Sequence, residues 1–185
     1  SAVLNGQEFE RIFTSISQWL LEVAAFDEDL RTVVPLEFCV SMAHQAYLTE
    51  YAYYAGEGEL TILKKIWDAL LAKVQTNEGL NHSDRVTLAI SASYISLGDW
   101  MKEIPDTLNE GPIGTLFKSQ ILDKRVEEGL LSGIEALTSV TDATSVKVQK
   151  QYEENPFPRW SVLSPNKTST VGETLQSLFP YFKAP

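Results

Sequence analysis

Gln7–Phe26 reads QEFERIFTSISQWLLEVAAF. Phe9, Ile12, Phe13, Ile16, Trp19, Leu20 and Val23 recur at intervals of three and four. That spacing lines one face of an α-helix, whereas a half-buried strand alternates in twos. The same period returns along most of the chain. It predicts an all-α fold, a multi-helical array in which successive helices form antiparallel pairs joined by short loops.

After this stretch, Asp27-Glu28-Asp29 opens a short helix, its acids suited to an N-terminal dipole. Pro35 suits the first turn of a helix expected to reach about Tyr54. Its apolar face is Leu36, Cys39, Val40, Ala43, Tyr47, Tyr51 and Tyr54, and Gly56 and Gly58 are read as its end. Leu60 to Val74 forms the next helix, closed by Asn77-Glu78-Gly79. Ser83 is read as the N-cap of a helix through Leu97. Gly98, Pro105 and Gly111 leave only short helical turns over 98–111. Pro112 opens a helix to about Leu122, and a second piece continues to Leu137, with Gly129 and Gly133 expected at a kink or close crossing. Thr141 or Asp142 caps a helix through Glu154. Beyond it the pattern changes: two prolines forbid a helix interior over 155–160, residues 161–170 read as a linker, and a short helix spans about Val171–Phe179. The expected division is a helical domain over 1–154 and a strap, linker and short helix over 155–185. No 34-residue period supports a solenoid.

The 185 residues suffice for one domain with its own core, without help from a metal or disulfide. The formal net charge of −10 repels phosphate backbones and anionic lipid, so nucleic acid is not an expected partner. No apolar run approaches the roughly 20 residues that span a bilayer. The single Cys39 excludes an internal disulfide and suits a reducing cytoplasm, the expected compartment. Cys39, His44 and His82 are too few and too scattered for zinc. Cys39 and His44, five residues apart, do not share a helix face as a catalytic dyad would. Neither histidine has an evident partner. Gly56-Glu57-Gly58-Glu59 and Gly111-Pro112-Ile113-Gly114 read as turns, because neither follows a strand or supplies the lysine of a phosphate loop. No catalytic, cofactor-binding or metal-ligating residue is assigned. Glu50, between Tyr47 and Tyr51, is read with Gln45 and Tyr51 as a partly buried polar anchor rather than a general base. An aromatic ligand pocket at Tyr47, Glu50 and Tyr51 is the weaker alternative there.

Gln151–Trp160 reads QYEENPFPRW. Three aromatics, an arginine and two prolines make a stiff strip rich in the residues that dominate interface hot spots. Tyr152, Asn155, Phe157, Arg159 and Trp160 are its candidate contact residues. Packing back onto its own helices and docking on a partner are equally compatible with the composition.

This stretch resembles the QYEENP[YF]PRW motif of bacterial proteins in which tetratricopeptide or other helical repeats precede a class I S-adenosylmethionine-dependent methyltransferase domain. Phe157 stands where Tyr is commoner. Residues 37–54 are similar to the family's helix around Q-C-F-x-N-E-Y: Gln45, Glu50 and Tyr51 match, and Ala46, Tyr47 and Thr49 depart from Cys, Phe and Asn. The likeness covers residues 35–182 in order of elements, and its specificity lies in the ten-residue motif. It implies that a catalytic domain follows Pro185 and binds S-adenosylmethionine there, while this chain holds no cofactor. The Ser1-Ala2 start and the Lys183-Ala184-Pro185 end are accordingly expected to be boundaries within a longer protein. The resulting expectation is a non-catalytic accessory domain that positions substrate or partner, its partner being the catalytic domain of its own chain. A stand-alone protein-binding module with a helical groove is the alternative.

Overall fold

The computed structural model describes residues 6–53, 55–75, 79–101, 108, 110–131, 133–134 and 142–154, together with Glu173, Leu175 and Leu178. No strand occurs among them, and the protein is all-α. In chain order the elements are α1 (Gln7–Phe26), α2 (Glu28–Val33), α3 (Leu36–Leu48), α4 (Glu57–Gln75), α5 (His82–Ser91), α6 (Leu97–Trp100), α7 (Gly111–Phe117), a π-helical turn (Lys118–Leu122), α8 (Asp123–Leu131) and α9 (Ala143–Glu154).

The boundaries follow from local polar groups. Asp27 caps α2, its Oδ1 accepting from the Leu30 N–H at 2.9 Å. The third helix ends at Leu48, six residues before the expected Tyr54. Its closing turn is a Schellman motif: the Tyr51 N–H donates to the Ala46 carbonyl at 2.9 Å and the Glu50 N–H to the Tyr47 carbonyl at 3.1 Å. Glu50 (φ 51°) and Tyr51 (φ 54°) take the left-handed conformation that glycine ordinarily supplies. Gly56, read as a stop, is instead a start. Its N–H donates to the Glu59 carboxylate at 2.8 Å, half of a capping box ahead of α4. Asn81, not Ser83, caps α5; its Oδ1 accepts from the Asp84 N–H while Asp84 Oδ2 accepts from the Asn81 N–H. That helix ends at Ser91 rather than Leu97, and Ser96 caps the separate turn α6. Asp142, of the two candidates, caps α9, accepting from the Ser145 N–H at 2.9 Å.

Helix α5 lies at the centre, packed against α1, α2, α3, α4 and α7. Every residue from Val86 to Ser91 is buried. Leu20 and Leu21 of α1, Cys39 and Ala43 of α3, Leu63 and Leu70 of α4, and Leu116 and Phe117 of α7 complete one core. Ile12 and Trp19, expected on the buried stripe of α1, are exposed instead. The neighbours of α1 fully bury Phe13, Ser17, Leu20, Leu21, Val23 and Ala24 and partly cover Phe9 and Ile16.

The close crossing lies at Gly98, not at Gly129 or Gly133. A Cβ on Gly98 would stand 2.9 Å from the Gln120 carbonyl, while one on Gly129 would meet nothing and one on Gly133 makes ordinary contact. Gln120 is fully buried on the π-helical turn, and its Oε1 accepts from the Leu97 N–H at 2.9 Å. The π turn carries Gln120 to the start of α6, while Trp100 at the other end of that turn packs on Trp67 of α4 (centroids 3.9 Å apart).

Candidate functional site

Three regions carry more than plain core. The first is the turn after α3, where the sequence places Gln45, Glu50 and Tyr51. Tyr51 is mostly buried, and its hydroxyl donates to the Ala92 carbonyl at 3.5 Å, tying the turn to the end of α5. Burial, with Tyr47 beside it, pushes the Tyr51 phenol far above its ordinary pKa, so it remains a protonated donor. The Tyr47 and Tyr51 rings meet edge to face at 6.4 Å. Gln45 Nε2 donates to Tyr53 Oη at 3.5 Å, and Tyr53 stacks on Phe13 of α1. Glu50 is half-buried and its backbone forms the left-handed corner of the turn. Tyr94 donates to Glu59 Oε1 at 2.8 Å across the same aromatic tier, and burial followed by that carboxylate raises the Tyr94 phenol well above its usual value. The cavity beside Tyr51 measures about 20 Å³, room for a single water rather than an organic ligand.

The histidines do have partners, contrary to the sequence reading. His44 Nε2 lies 3.1 Å from Thr115 Oγ1 and His44 Nδ1 3.5 Å from Ser119 Oγ, joining α3 to α7 and the π turn. Both hydroxyls also donate to carbonyls of their own helix, Thr115 to Pro112 at 2.6 Å and Ser119 to Leu116 at 3.2 Å. Burial lowers the pKa of His44, and the neutral ring has one N–H, so it donates to one of these hydroxyls and ties α3 to the helix beside it. His82 Nε2 approaches the Val34 carbonyl at 3.4 Å. Cys39 is fully buried, and desolvation pushes its thiol up to about 12, leaving no thiolate at neutral pH.

The second region is a cleft of about 330 Å³ among α1, α2, α4 and α5. Ala24, Phe26, Ile62, Ile66 and Leu70 give it apolar walls. Arg31, Lys65 and Lys73 bring three positive charges to it, against the single carboxylate of Asp84. Asp84 is committed: it holds Lys73 Nζ at 2.6 Å and completes the α5 capping box. Arg31 Nε is buried and has no hydrogen-bond acceptor among the described residues. No ion pair involves Arg31 or Lys65 among the described residues. A second, more open hollow of about 460 Å³ adjoins the cleft across Phe26 and Ile62, with Trp19 and Leu30 on its walls. No local motif in the sequence marks this cleft, because its residues come from four helices.

The third region is the C-terminal arm. Every described side chain from Arg125 to Leu130 and from Asp142 to Tyr152 is exposed, including Val126, Leu130, Val146 and Val148. Tyr152, the first residue of the candidate strip, is 67% exposed. Asn155, Phe157, Arg159 and Trp160 lie outside the described residues.

Among the described residues, no cluster of three His, Cys, Asp or Glu side chains could hold a metal ion, and no helix is long and apolar enough to cross a membrane. No protein-family model, curated protein or solved structure matches the chain.

Proposed function

We propose that this chain is a non-catalytic helical accessory domain of a bacterial, cytoplasmic S-adenosylmethionine-dependent methyltransferase, and that it works by contact. The observation that supports this reading is the arm. The ten-residue strip at Gln151–Trp160 begins on a helix whose described side chains are all exposed, with Val146, Val148 and Tyr152 unburied. Apolar groups held out in this way gain about 25 cal/mol per Å² when a partner removes them from water. In this reading Tyr152, Phe157, Arg159 and Trp160 dock on the catalytic domain of the same protein. That domain carries the cofactor, and the α1–α7 bundle holds the arm and positions substrate or partner.

Adding the separately purified catalytic domain to this chain tests the reading. Docking changes Trp fluorescence and gives a saturable calorimetric isotherm, and deleting residues 152–160 from the full protein lowers its activity. No binding at high micromolar concentration, together with full activity after the deletion, rejects it.

A stand-alone protein-interaction module is the second reading. The hollow walled by Trp19, Phe26 and Leu30 favours it, since exposed aromatic and aliphatic groups in a helical groove suit an apolar partner segment. Capture of the same partner by residues 1–154 alone, undiminished by loss of the strip, separates it from the first reading.

A further inference from the structure

We propose that the cleft among α1, α2, α4 and α5 binds a small amphipathic anion, a carboxylate with an aliphatic tail. Cavity, charge and hydrogen bonding each support it. At about 330 Å³ the cleft falls in the range of small-molecule sites. An apolar cavity of about 150 Å³ accommodates one benzene, so this one takes an aliphatic tail of about ten carbons. Its walls, Phe26, Ile62, Ile66 and Leu70 among them, offer such a tail apolar contact.

The charge is against the grain of the molecule. The chain carries −10 overall, yet Arg31, Lys65 and Lys73 gather around one cleft with Asp84 as the sole carboxylate lining it. Asp84 is already used by Lys73 and by the Asn81 backbone N–H. The cleft lining therefore keeps a surplus of two positive charges, which favours an anion entering it.

Hydrogen bonding sharpens this to a carboxylate. A buried guanidinium N–H without an acceptor is unfavourable, and Arg31 Nε is in that state. A carboxylate accepts two parallel bonds from one guanidinium edge. Seated against the Arg31 guanidinium, with its tail toward Ile66 and Leu70, it would approach the Lys65 ammonium, and a shift of the Arg31 side chain that uncovers Nε would let it complete the unmet donor. Thr87 and Asp84, at the α5 side, donate nothing free to a second polar group: the Thr87 hydroxyl already donates to the Ser83 carbonyl at 2.7 Å. One anionic head and an otherwise apolar body fit this distribution.

No described residue of the arm lines the cleft, so its ligand can be tested whether or not the arm docks. Decanoate and decanol are titrated into the intact chain by calorimetry, with amide shifts in a ¹⁵N-correlated spectrum locating the site. Decanoate is expected to bind with one-to-one stoichiometry and to shift amides of α2, α4 and α5. Decanol is expected to bind at least about tenfold more weakly, since a charge-assisted bond contributes about 1.5–3 kcal/mol. Arg31→Gln should remove that preference and leave decanol binding unchanged. Lys65→Gln, at an exposed position that the fold does not need, should weaken decanoate by a smaller factor. Ala69→Trp, filling the cleft from α4, should abolish both. Equal affinity for acid and alcohol, an Arg31→Gln variant that is folded by circular dichroism and binds decanoate as before, or shifts confined to other helices would each overturn the proposal.

Discussion

The bundle of α1–α7 and the arm of α8 and α9 are built from the same helical sequence pattern but treat their apolar residues oppositely. In the bundle, Leu20, Leu88, Ile113 and Phe117 are sealed by neighbours on several sides. In the arm, Val126, Leu130, Val146 and Val148 face solvent. The pattern of apolar residues establishes that a segment is helical, but it does not say which other surface covers it. Within the bundle, α5 supplies that cover for five other helices. The described apolar residues of the arm remain exposed.

The contrast is broken or sharpened by truncation. Leu20→Ala and Phe117→Ala should each lower the unfolding free energy by about 3–5 kcal/mol, because both side chains leave a sealed cavity. Val126→Ala and Val146→Ala should change it by no more than about 0.5 kcal/mol, since little buried area is lost. Urea unfolding followed by circular dichroism measures both. A large loss at Val146 would mean that the arm is covered after all.

Next in size is the α6–π-turn contact. Gln120→Ala leaves the buried Leu97 N–H without its acceptor and should destabilise by about 1–3 kcal/mol. Gly98→Ala should have a similar effect, about 1–3 kcal/mol, because its Cβ meets a backbone carbonyl that cannot rotate away. Gly129→Ala, on the exposed arm, should instead be neutral or slightly stabilising, by up to about 1 kcal/mol, through helix propensity. The opposite signs at two glycines of one chain make a direct comparison of the two regions.

The smallest effect is pH-dependent. Burial holds the pKa of His44 below its ordinary 6.5. As pH falls through that range, the unfolded chain takes up a proton that the folded chain resists, so stability falls with it. The urea midpoint should therefore be lower at about pH 5.5 than at about pH 7.5, and His44→Gln should flatten part of that slope. A slope unchanged by the substitution would place the acid sensitivity elsewhere in the bundle.

Much of the fold is legible in the residues, and the errors have physical causes. Leu36, Cys39, Val40, Ala43 and Tyr47 of α3 are buried as read, because side-chain period alone places them on one face. The end of α3 did not, since Glu50 and Tyr51 occupy left-handed positions with no glycine to announce them. Gly56 was legible as a boundary but not as the beginning of one, because the deciding bond comes from Glu59, three residues later. Ile12 and Trp19 carry the same helical signal as their buried neighbours, and only the placement of the surrounding helices leaves them exposed. At the candidate sites the division is sharper. The Gln151–Trp160 strip is contiguous and visible at once. The cationic cleft gathers Arg31, Lys65, Lys73 and Asp84 from three helices, and no local motif marks it.

The sequence by itself determined the all-helical class, the apolar faces and the prolines that interrupt them, because these depend on dihedral preferences and on neighbours within one or two turns. Tertiary structure alone decided that α5 is the central rod, that Gly98 rather than Gly129 is the point of close approach, and that Arg31, with its Nε unmet among the described residues, lines a cleft. Those outcomes depend on distances between residues far apart in the chain, which no local periodicity encodes.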